Sequence, residues 1–220
     1  MSGSSAKGVR EASAPPIVYR SAAPADREGV EAIDDSFTTD RIYEVVADGG
    51  GFALRERDVE PPLLKVFPAE DEEDEDGEDE DGEDEDGEEG ADGADAVPGG
   101  AGERSGRPRV EVAVSGDAVC GFVEYGVEEW HSRLVVHRIA VAPAHRGRGI
   151  GAELMERACA HGRRAGARTA WLEVTNVNAP AVRAYRRMGF ELCGLDTTFY
   201  RGTASEGETA LFMSRELDNR

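Results

Sequence analysis

The amino-acid sequence predicts a single α/β domain with a mixed central sheet flanked by helices. Short segments rich in β-branched residues alternate with segments whose apolar residues have a helical period, as expected of such a domain. The clearest strand segment, residues 133–141, is followed directly by a glycine-rich turn and the beginning of a helix. The length of 220 residues suits one substantial domain.

The chain is predicted to begin with a strand at 17–20 and a helix. Pro24 and the acidic residues after it suit the first turn of a helix. The helical spacing of Val30, Ile33 and Phe37 predicts that this helix continues to Phe37.

A β-hairpin is predicted next. Residues 42–46 and 52–56 have the composition of strands, and the Asp-Gly-Gly-Gly sequence at 48–51 between them is a strong hairpin signal. The segment 61–67 closes this half of the domain. After it, the predicted order is a second hairpin, a strand, a helix, a strand, a helix and two strands: 110–114 with 119–125, 133–141, 152–158, 168–174, 178–187, 190–195 and 208–214.

An acidic tract interrupts the domain. Residues 70–95 contain 19 acidic and no basic side chains, with three copies of Glu-Asp-Glu-Asp-Gly. Because like charges repel and nothing apolar is available for burial, we expect a disordered acidic insertion at 69–108 within a domain of residues 16–217, and a disordered tail at 1–15. The tract is interpreted as a solubility linker, with an electrostatic lure for a polycationic substrate as the alternative.

Composition also limits the partners. Outside the acidic tract, 27 acidic side chains face 25 basic ones, so no strongly basic surface is predicted and nucleic acid is excluded as a partner. The widely spaced Cys120, Cys159 and Cys193 are interpreted as buried thiols, not as a disulfide framework or a metal site. With no signal peptide and no apolar run of the roughly 20 residues that a membrane span needs, we expect a soluble cytoplasmic protein without a membrane partner or a metal. Homodimer formation is compatible with the sequence.

The turn after residues 133–141 has the chemistry of an anion site. Gly147, Gly149 and Gly151 let the backbone approach a ligand, and successive N–H groups at a helix N-terminus bind anions. Arg146 and Arg148 add charge of the sign that suits a pyrophosphate. Taken alone, the segment is equally consistent with a tight turn, and neither the Walker spacing nor the dinucleotide-binding spacing is present.

A second motif lies at residues 176–190. Four of its residues share one face of the predicted helix, because they are three or four positions apart: Asn178, Ala181, Val182 and Tyr185. Gly189 is predicted to end this helix before the next strand. In isolation, a tyrosine at this spacing is most often part of a hydrophobic core.

Together the two motifs resemble the acetyl-CoA site of the GNAT acetyltransferases. The first is Arg146-x-x-Gly-x-Gly, and the second is Asn178-x-x-Ala-x-x-x-Tyr-x-x-x-Gly-Phe. Over roughly residues 17–215 the chain further resembles the streptothricin (nourseothricin) acetyltransferases, in particular in 34–40, 61–67, the acidic insertion and 171–200. The resemblance implies an antibiotic-resistance enzyme that transfers an acetyl group from acetyl-CoA to an amine of the β-lysine arm of streptothricin.

The resemblance also implies roles for individual residues. Tyr185 would donate a proton to the departing CoA thiolate, and main-chain groups of Ile139 and Val141 would bind the pantetheine and polarise the thioester carbonyl. Glu173 is expected to orient the acceptor ammonium or to accept its proton through water, with a merely solvated carboxylate as the alternative. The full acetyl-CoA-binding set is Ile139, Ala140, Val141, Arg146, Gly147, Arg148, Gly149, Ile150, Gly151, Asn178, Ala181 and Tyr185.

Contacts to a small-molecule amine are expected from Asp34, Asp35, Trp130, His137 and Glu173. The two aspartates are equally consistent with solubility residues at a helix end, Trp130 with a core residue, and His137 with packing or exposure instead of a replacement base. Where the family typically has acidic side chains, this chain has His137 and Arg138 and, two residues on, Ala140. This departure favours a second hypothesis, a GNAT enzyme for another small-molecule or peptidyl amine; a third is an acetyl-CoA-binding module without turnover.

Overall fold

The computed structural model describes residues 15–67 and 108–217, in which a mixed sheet is flanked by helices as predicted. Seven strands form the main sheet in the order β1-β4-β5-β6-β7-β9-β8, and β2 and β3 form a separate antiparallel pair. The predicted tail at 1–15 and the predicted acidic linker at 69–108 lie, except for Pro15 and Pro108, outside the described residues. The strands are β1 (Ile17–Ser21), β2 (Phe37–Asp48), β3 (Gly51–Lys65), β4 (Arg109–Ser115), β5 (Ala118–Glu128), β6 (Arg133–Val141), β7 (Thr169–Thr175), β8 (Glu191–Asp196) and β9 (Ala210–Glu216).

Three α-helices of the described residues pack on the sheets: α1 (Arg27–Glu31), α2 (Ile150–Arg164) and α3 (Ala179–Arg187). Helix α2 packs on β4, β5 and β6, while α1 packs on β5 and α3 packs on β2. The buried stripe of α2 has a helical period and joins the main hydrophobic core through Ile150, Leu154, Met155, Ala158 and Cys159. Within the described residues, no helix has both the length and the apolar character that a membrane crossing requires.

The prediction that the first helix continues to Phe37 is wrong. Helix α1 ends at Glu31, and Phe37 begins β2, where it pairs with Lys65 of β3. Val30 and Ile33 do pack together on a core cluster under β4 and β5, so their spacing reflected real burial. Phe37 extended the helical period by coincidence, because its burial comes from strand pairing across the chain.

The hairpin predicted around residues 48–51 is confirmed, and its strands are longer than predicted. β3 extends through Pro61 and Pro62, and a register shift in β2 after Thr39 accommodates the irregular pairing. Asn176 joins this hairpin to the main sheet: its main-chain oxygen accepts from the N–H of Tyr43 at 2.9 Å, and its side-chain nitrogen donates to the oxygen of Tyr43 at 2.7 Å. The hairpin therefore lies beside the carboxyl end of β7.

A bulge in β6 opens the centre of the sheet. β6 runs parallel to β7 only from Arg133 to Val136. Opposite β5, Val136 pairs with Tyr125 and Arg138 pairs with Glu124, so His137 is the extra residue of a β-bulge. Beyond it the two parallel strands diverge, which leaves the β7-facing edge of the rest of β6 without a strand partner. The sheet thus contains a cleft lined by main-chain hydrogen-bonding groups.

Of the three cysteines, Cys120 and Cys159 are buried as predicted, but Cys193 is exposed. Cys193 lies on β8, the strand at one edge of the main sheet. The prediction of burial was therefore wrong at this position, because edge location depends on strand order and not on local sequence.

Candidate active site

A cavity of about 690 Å³ opens where β6 and β7 diverge. It brings together eight of the residues predicted from the sequence, from four separate regions of the chain: Asp34, Asp35, His137, Ile139, Ala140, Glu173, Asn178 and Tyr185. Its remaining wall comes from the end of β3 and from the loop between β8 and β9, through Val66, Phe67, Tyr200 and Ser205 among others.

Tyr185 lies half-buried on α3 with its ring 6.1 Å from that of Phe190. Burial raises the pKa of its phenol above the usual value, and the nearby negative charge of Glu173 raises it further. The hydroxyl therefore remains protonated at neutral pH. A protonated phenol at the wall of a cleft is suited to donate a proton to a departing anion.

Glu173 is the fifth residue of β7 and faces the same cavity. Burial raises the pKa of its carboxyl, and the charge of Glu208 acts in the same direction. A hydrogen bond from the hydroxyl of Tyr200 to Glu173 Oε1 opposes this rise, because it stabilises the ionised form. Glu173 is therefore a partly desolvated carboxylate with one defined partner, and the alternative of a merely solvated strand end is wrong.

The glycine-rich turn leads into α2 as predicted. Gly147 and Gly149 have φ values of +76° and +82°, in the left-handed region that favours glycine. Gly149 is the N-cap of α2 and provides no side-chain cap, so the first N–H groups of the helix have no capping side chain. Arg148 is exposed on this turn. The arrangement is that of an anion-binding helix start.

Arg146, which the sequence predicts as a pyrophosphate ligand, is hydrogen-bonded to main-chain oxygens in this structure. Its guanidinium donates to the main-chain oxygens of Val141 at 2.8 Å, Ser36 at 2.8 Å and Asp34 at 2.7 Å. Three of the five N–H donors of the guanidinium are thus used on carbonyls, one from each nitrogen. Arg146 joins the end of β6 to the loop at 34–36, which carries the aspartates of the cavity wall.

Asn178 and Ala181, the other predicted cofactor contacts of the second motif, each have a structural role. Asn178 is the N-cap of α3, where its Oδ1 accepts from the N–H of Ala181 at 3.1 Å, and its side chain borders the cavity. Ala181 packs against the hydrophobic core and does not line the cavity. Ala181 therefore has a packing role, its contact with the cofactor stays a prediction, and Asn178 lies at the site.

The acceptor side of the cavity carries both signs of charge. Asp35 is half-buried; burial raises the pKa of its carboxyl, and the charge of Arg138 across the cavity opposes the rise. Asp34 is exposed, and its Oδ1 accepts from the N–H of Ser36 at 3.0 Å. His137 is exposed at the bulge, so its imidazole is accessible from the cavity and from solvent.

Trp130 lies outside the cavity. Its side chain is 79 % exposed in the turn before β6, with its ring stacked on that of His131 at 3.9 Å. The alternative of a core position is therefore wrong, and the expected substrate contact lies outside the lining of this cavity. β6 carries the turn to one end of the strand and the cavity to the other, so proximity in sequence to the cleft did not become proximity in space.

Sequence reasoning missed Tyr200, Glu208 and Lys65. Tyr200 reaches Glu173 from 27 residues further along the chain, within a loop that has no periodic pattern. No local signal singled it out, although it lies inside the segment that carried the family resemblance. Within residues 15–67 and 108–217, no group of three or more His, Cys, Asp or Glu side chains is arranged to hold a metal ion.

Two parallel strands that diverge at a bulge, with a glycine-rich helix start beyond one of them and a tyrosine on the facing helix, are the architecture of an acetyltransferase. The chain matches the Acetyltransferase (GNAT) family over residues 66–190. It belongs to this family and is an N-acetyltransferase.

Its relatives narrow the class. The chain is 50% identical over 196 residues to the streptothricin acetyltransferase of Streptomyces lavendulae. This alignment covers 89% of this chain and 93% of that protein. The crystal structure of nourseothricin acetyltransferase is similar with a TM-score of 0.73 and 45% identity, over 92% of this chain and 99% of that one. A Bacillus anthracis protein solved in complex with acetyl coenzyme A has the same fold, with a TM-score of 0.66, 20% identity, and coverage of 92% of this chain and 99% of that one.

Proposed function

We propose that this chain inactivates streptothricin-class antibiotics by transferring an acetyl group from acetyl-CoA to an amine of their β-lysine arm. The observation that carries the proposal is the meeting of a protonated phenol, Tyr185, and a carboxylate, Glu173, in one cavity beside the open edge of β6. The choice of acceptor is supported by the similarity to the two acetyltransferases of this antibiotic class.

Acetyl-CoA fits the cleft between β6 and β7. An extended pantetheine arm would bind the unpaired edge of β6 at Ile139, Ala140 and Val141, as an added strand binds an open sheet edge. Its diphosphate would bind the main-chain N–H groups of the turn and helix start at 147–151, with the exposed Arg148 as the nearby cation. Asn178 would contact the cofactor arm from the opposite side.

The residues in the cavity suit acetyl transfer to an amine. An ammonium has no lone pair, so the acceptor loses a proton before its nitrogen attacks the thioester carbonyl; Glu173 would orient it and receive that proton directly or through water. A new C–N bond forms and the C–S bond breaks. The departing thiolate takes the proton of the Tyr185 hydroxyl, which burial keeps protonated, and the second proton of the attacking nitrogen passes to the Tyr185 phenolate, which restores the hydroxyl and leaves a neutral amide.

A second acceptor class is favoured by one observation. Arg138 lies over the ring of Phe122 at 5.3 Å and opposite Asp35, so part of the negative charge on the acceptor side is offset. An acceptor wall of mixed charge is better suited to a less cationic amine than a wholly acidic wall would be. Such an amine could belong to a small molecule or to a peptide. Asp34, Asp35 and His137 are the residues that would select between the two classes.

Incubation with acetyl-CoA and streptothricin tests the proposal. We expect free thiol to be released together with a product that is heavier by one acetyl group, as measured by a thiol reagent and mass spectrometry. Thiol release with other amines but not with streptothricin would instead identify an acetyltransferase for a less cationic small-molecule or peptide amine. Tight binding of acetyl-CoA without thiol release from any amine would mean a binding module and would overturn the proposed reaction.

Arg146→Lys should weaken acceptor binding more than cofactor binding. Lysine keeps the charge but replaces three directed hydrogen bonds by one flexible ammonium, so the loop at 34–36 loses its attachment to β6. With a net contribution of about 1 kcal/mol for each hydrogen bond, we expect the KM for the amine to rise roughly tenfold.

The matched comparison is Arg148→Lys, which is exposed on the same turn and, among the described residues, has no hydrogen bond to the loop at 34–36. This change should alter the Kd of acetyl-CoA and leave the KM for the amine nearly unchanged. Steady-state kinetics and calorimetry with acetyl-CoA measure the two quantities. If Arg146→Lys lowered cofactor affinity as strongly as it raised the KM for the amine, Arg146 would be a cofactor ligand after all.

A further inference from the structure

We propose that Tyr200 is a positioning residue for acetyl transfer, which holds the carboxylate of Glu173 in the orientation and ionisation state needed by the acceptor amine. The Tyr200 hydroxyl donates to Glu173 Oε1, and both side chains line the cavity beside Tyr185. The inference rests on the proposed function for the role of Glu173, and it extends that function to a residue in the loop between β8 and β9.

The charged groups around Glu173 leave it without a cationic partner in the described part of the chain. The charge of Glu208, from the loop before β9, raises the pKa of the Glu173 carboxyl. The ammonium of Lys65 at the end of β3 is bound to Glu208 Oε1, and the hydroxyl of Thr175 donates to Glu208 Oε2 at 2.5 Å. Lys65 therefore neutralises Glu208 and not Glu173.

The remaining neighbours of Glu173 are neutral or distant. On α3, the phenol of Tyr185 is kept neutral by burial, and on β9 the strand partner of Glu173 is Phe212. His137 and Arg138 lie on β6, at the other wall of the cavity. A neutral hydroxyl donor such as Tyr200 orients a carboxylate without cancelling its charge, so Glu173 keeps a full negative charge for an incoming ammonium.

The loop that carries Tyr200 is held in place on both sides of it. Before Tyr200, Asp196 Oδ1 accepts from both the N–H and the hydroxyl of Thr198 at 2.7 Å. After it, the hydroxyl of Thr203 donates to the main-chain oxygen of Tyr200 at 2.8 Å, and Lys65 donates to Ser205 Oγ at 2.9 Å. The phenol is therefore preorganised before substrate arrives, as a positioning group requires.

The hydrogen bond from Tyr200 determines the direction in which the pKa of Glu173 should change when the hydroxyl is removed. The Tyr200 hydroxyl is itself kept neutral, because burial and the charge of Glu173 both raise its pKa. Its donation stabilises ionised Glu173 and lowers the pKa of that carboxyl, so removal of the hydroxyl raises the pKa. A reaction that needs ionised Glu173 then loses rate first at the acidic side of its pH range.

The test is Tyr200→Phe, which keeps the ring packed against Phe199 and removes only the hydroxyl. The first readout is the carboxyl 13C shift of Glu173 against pH in protein labelled at glutamate, assigned with Glu173→Gln. The second is kcat/KM for streptothricin acetylation against pH. We expect the midpoint of the Glu173 titration and the acidic limb of the rate profile both to move to higher pH. At neutral pH, kcat/KM should fall about tenfold, as for a lost hydrogen bond to a charged group.

Tyr43→Phe is the matched control. The Tyr43 hydroxyl also donates to a glutamate, Glu56 Oε1 at 2.8 Å, but this pair lies on the β2–β3 hairpin outside the cavity. We expect neither the Glu173 titration nor the rate profile to change in this variant. Thermal unfolding of both variants establishes that each one is folded under the assay conditions.

Two results would overturn the inference. An unchanged Glu173 midpoint in Tyr200→Phe would mean that the hydroxyl does not govern the carboxylate. A raised midpoint with an unchanged rate profile would mean that the contact is structural and without effect on transfer. If the wild-type protein failed to acetylate streptothricin, the proposed function would fail, while the 13C titration would still decide whether Tyr200 controls Glu173.

Discussion

Tyr185→Phe is expected to lower kcat by about two orders of magnitude or more, the range over which a general acid contributes to a rate. Burial and the charge of Glu173 keep the phenol protonated at neutral pH, so a proton is available whenever the thiolate departs. Phenylalanine keeps the ring and its contact with Phe190 but provides no proton. The affinity for acetyl-CoA should change little.

Steady-state kinetics and calorimetry with acetyl-CoA separate the two effects. Tyr125→Phe is the control, because it removes another buried phenol, one that packs near His161 and lies outside the cavity. We expect this variant to retain its kcat. Equal losses of kcat and of acetyl-CoA affinity in Tyr185→Phe would instead assign Tyr185 a structural role in the site.

Gly149→Val should weaken acetyl-CoA binding by about tenfold to a hundredfold. Gly149 has a φ of +82°, and a β-branched residue in this conformation costs on the order of 1–3 kcal/mol, so the turn relaxes and its N–H groups change direction. Apart from the adjoining backbone, no atom of the described residues lies within 4 Å of the position that a new Cβ would occupy. The change therefore acts through backbone geometry and not through a clash in the core.

Gly166→Val is the matched substitution at the other end of α2. Gly166 has a φ of +84° and equally open surroundings, so its strain should lower thermal stability to a similar extent. It is separated from the glycine-rich turn by the whole of α2. Calorimetry should find the Kd of acetyl-CoA raised in the Gly149 variant alone; a similar rise in both variants would show that stability, and not turn geometry, controls binding.

The parts of the fold that were predictable are those encoded by neighbouring residues. The turn at 48–51, the glycine-rich start of α2 and the end of α3 at Gly189 each depend on backbone conformations that one or two residues impose. The helical faces of α2 and α3 follow from residue spacing alone. The same spacing gave a wrong prediction at Phe37. Three apolar residues can have helical spacing by chance when the third of them begins a strand.

The site was predictable only in its outline. Tyr185 was identified because the second motif contains it, and Glu173 because it lies near the end of the strand before that motif; both line the cavity. The direction of a long side chain was not predictable: Arg146 has the motif position of an anion ligand but binds three carbonyls, two of them in a loop more than 100 residues earlier in the chain.

The sequence by itself determined the α/β class, the order of the elements after the acidic tract, and the two motifs that place the chain in its family. Only the tertiary structure decided that β6 diverges from β7 at His137, that Trp130 lies outside the cavity, and that Tyr200 binds Glu173. The physical reason is the range of the forces involved. Turn and helix preferences act over a few consecutive residues, whereas a hydrogen bond between side chains 27 positions apart exists only once the strands between them have been ordered in the sheet.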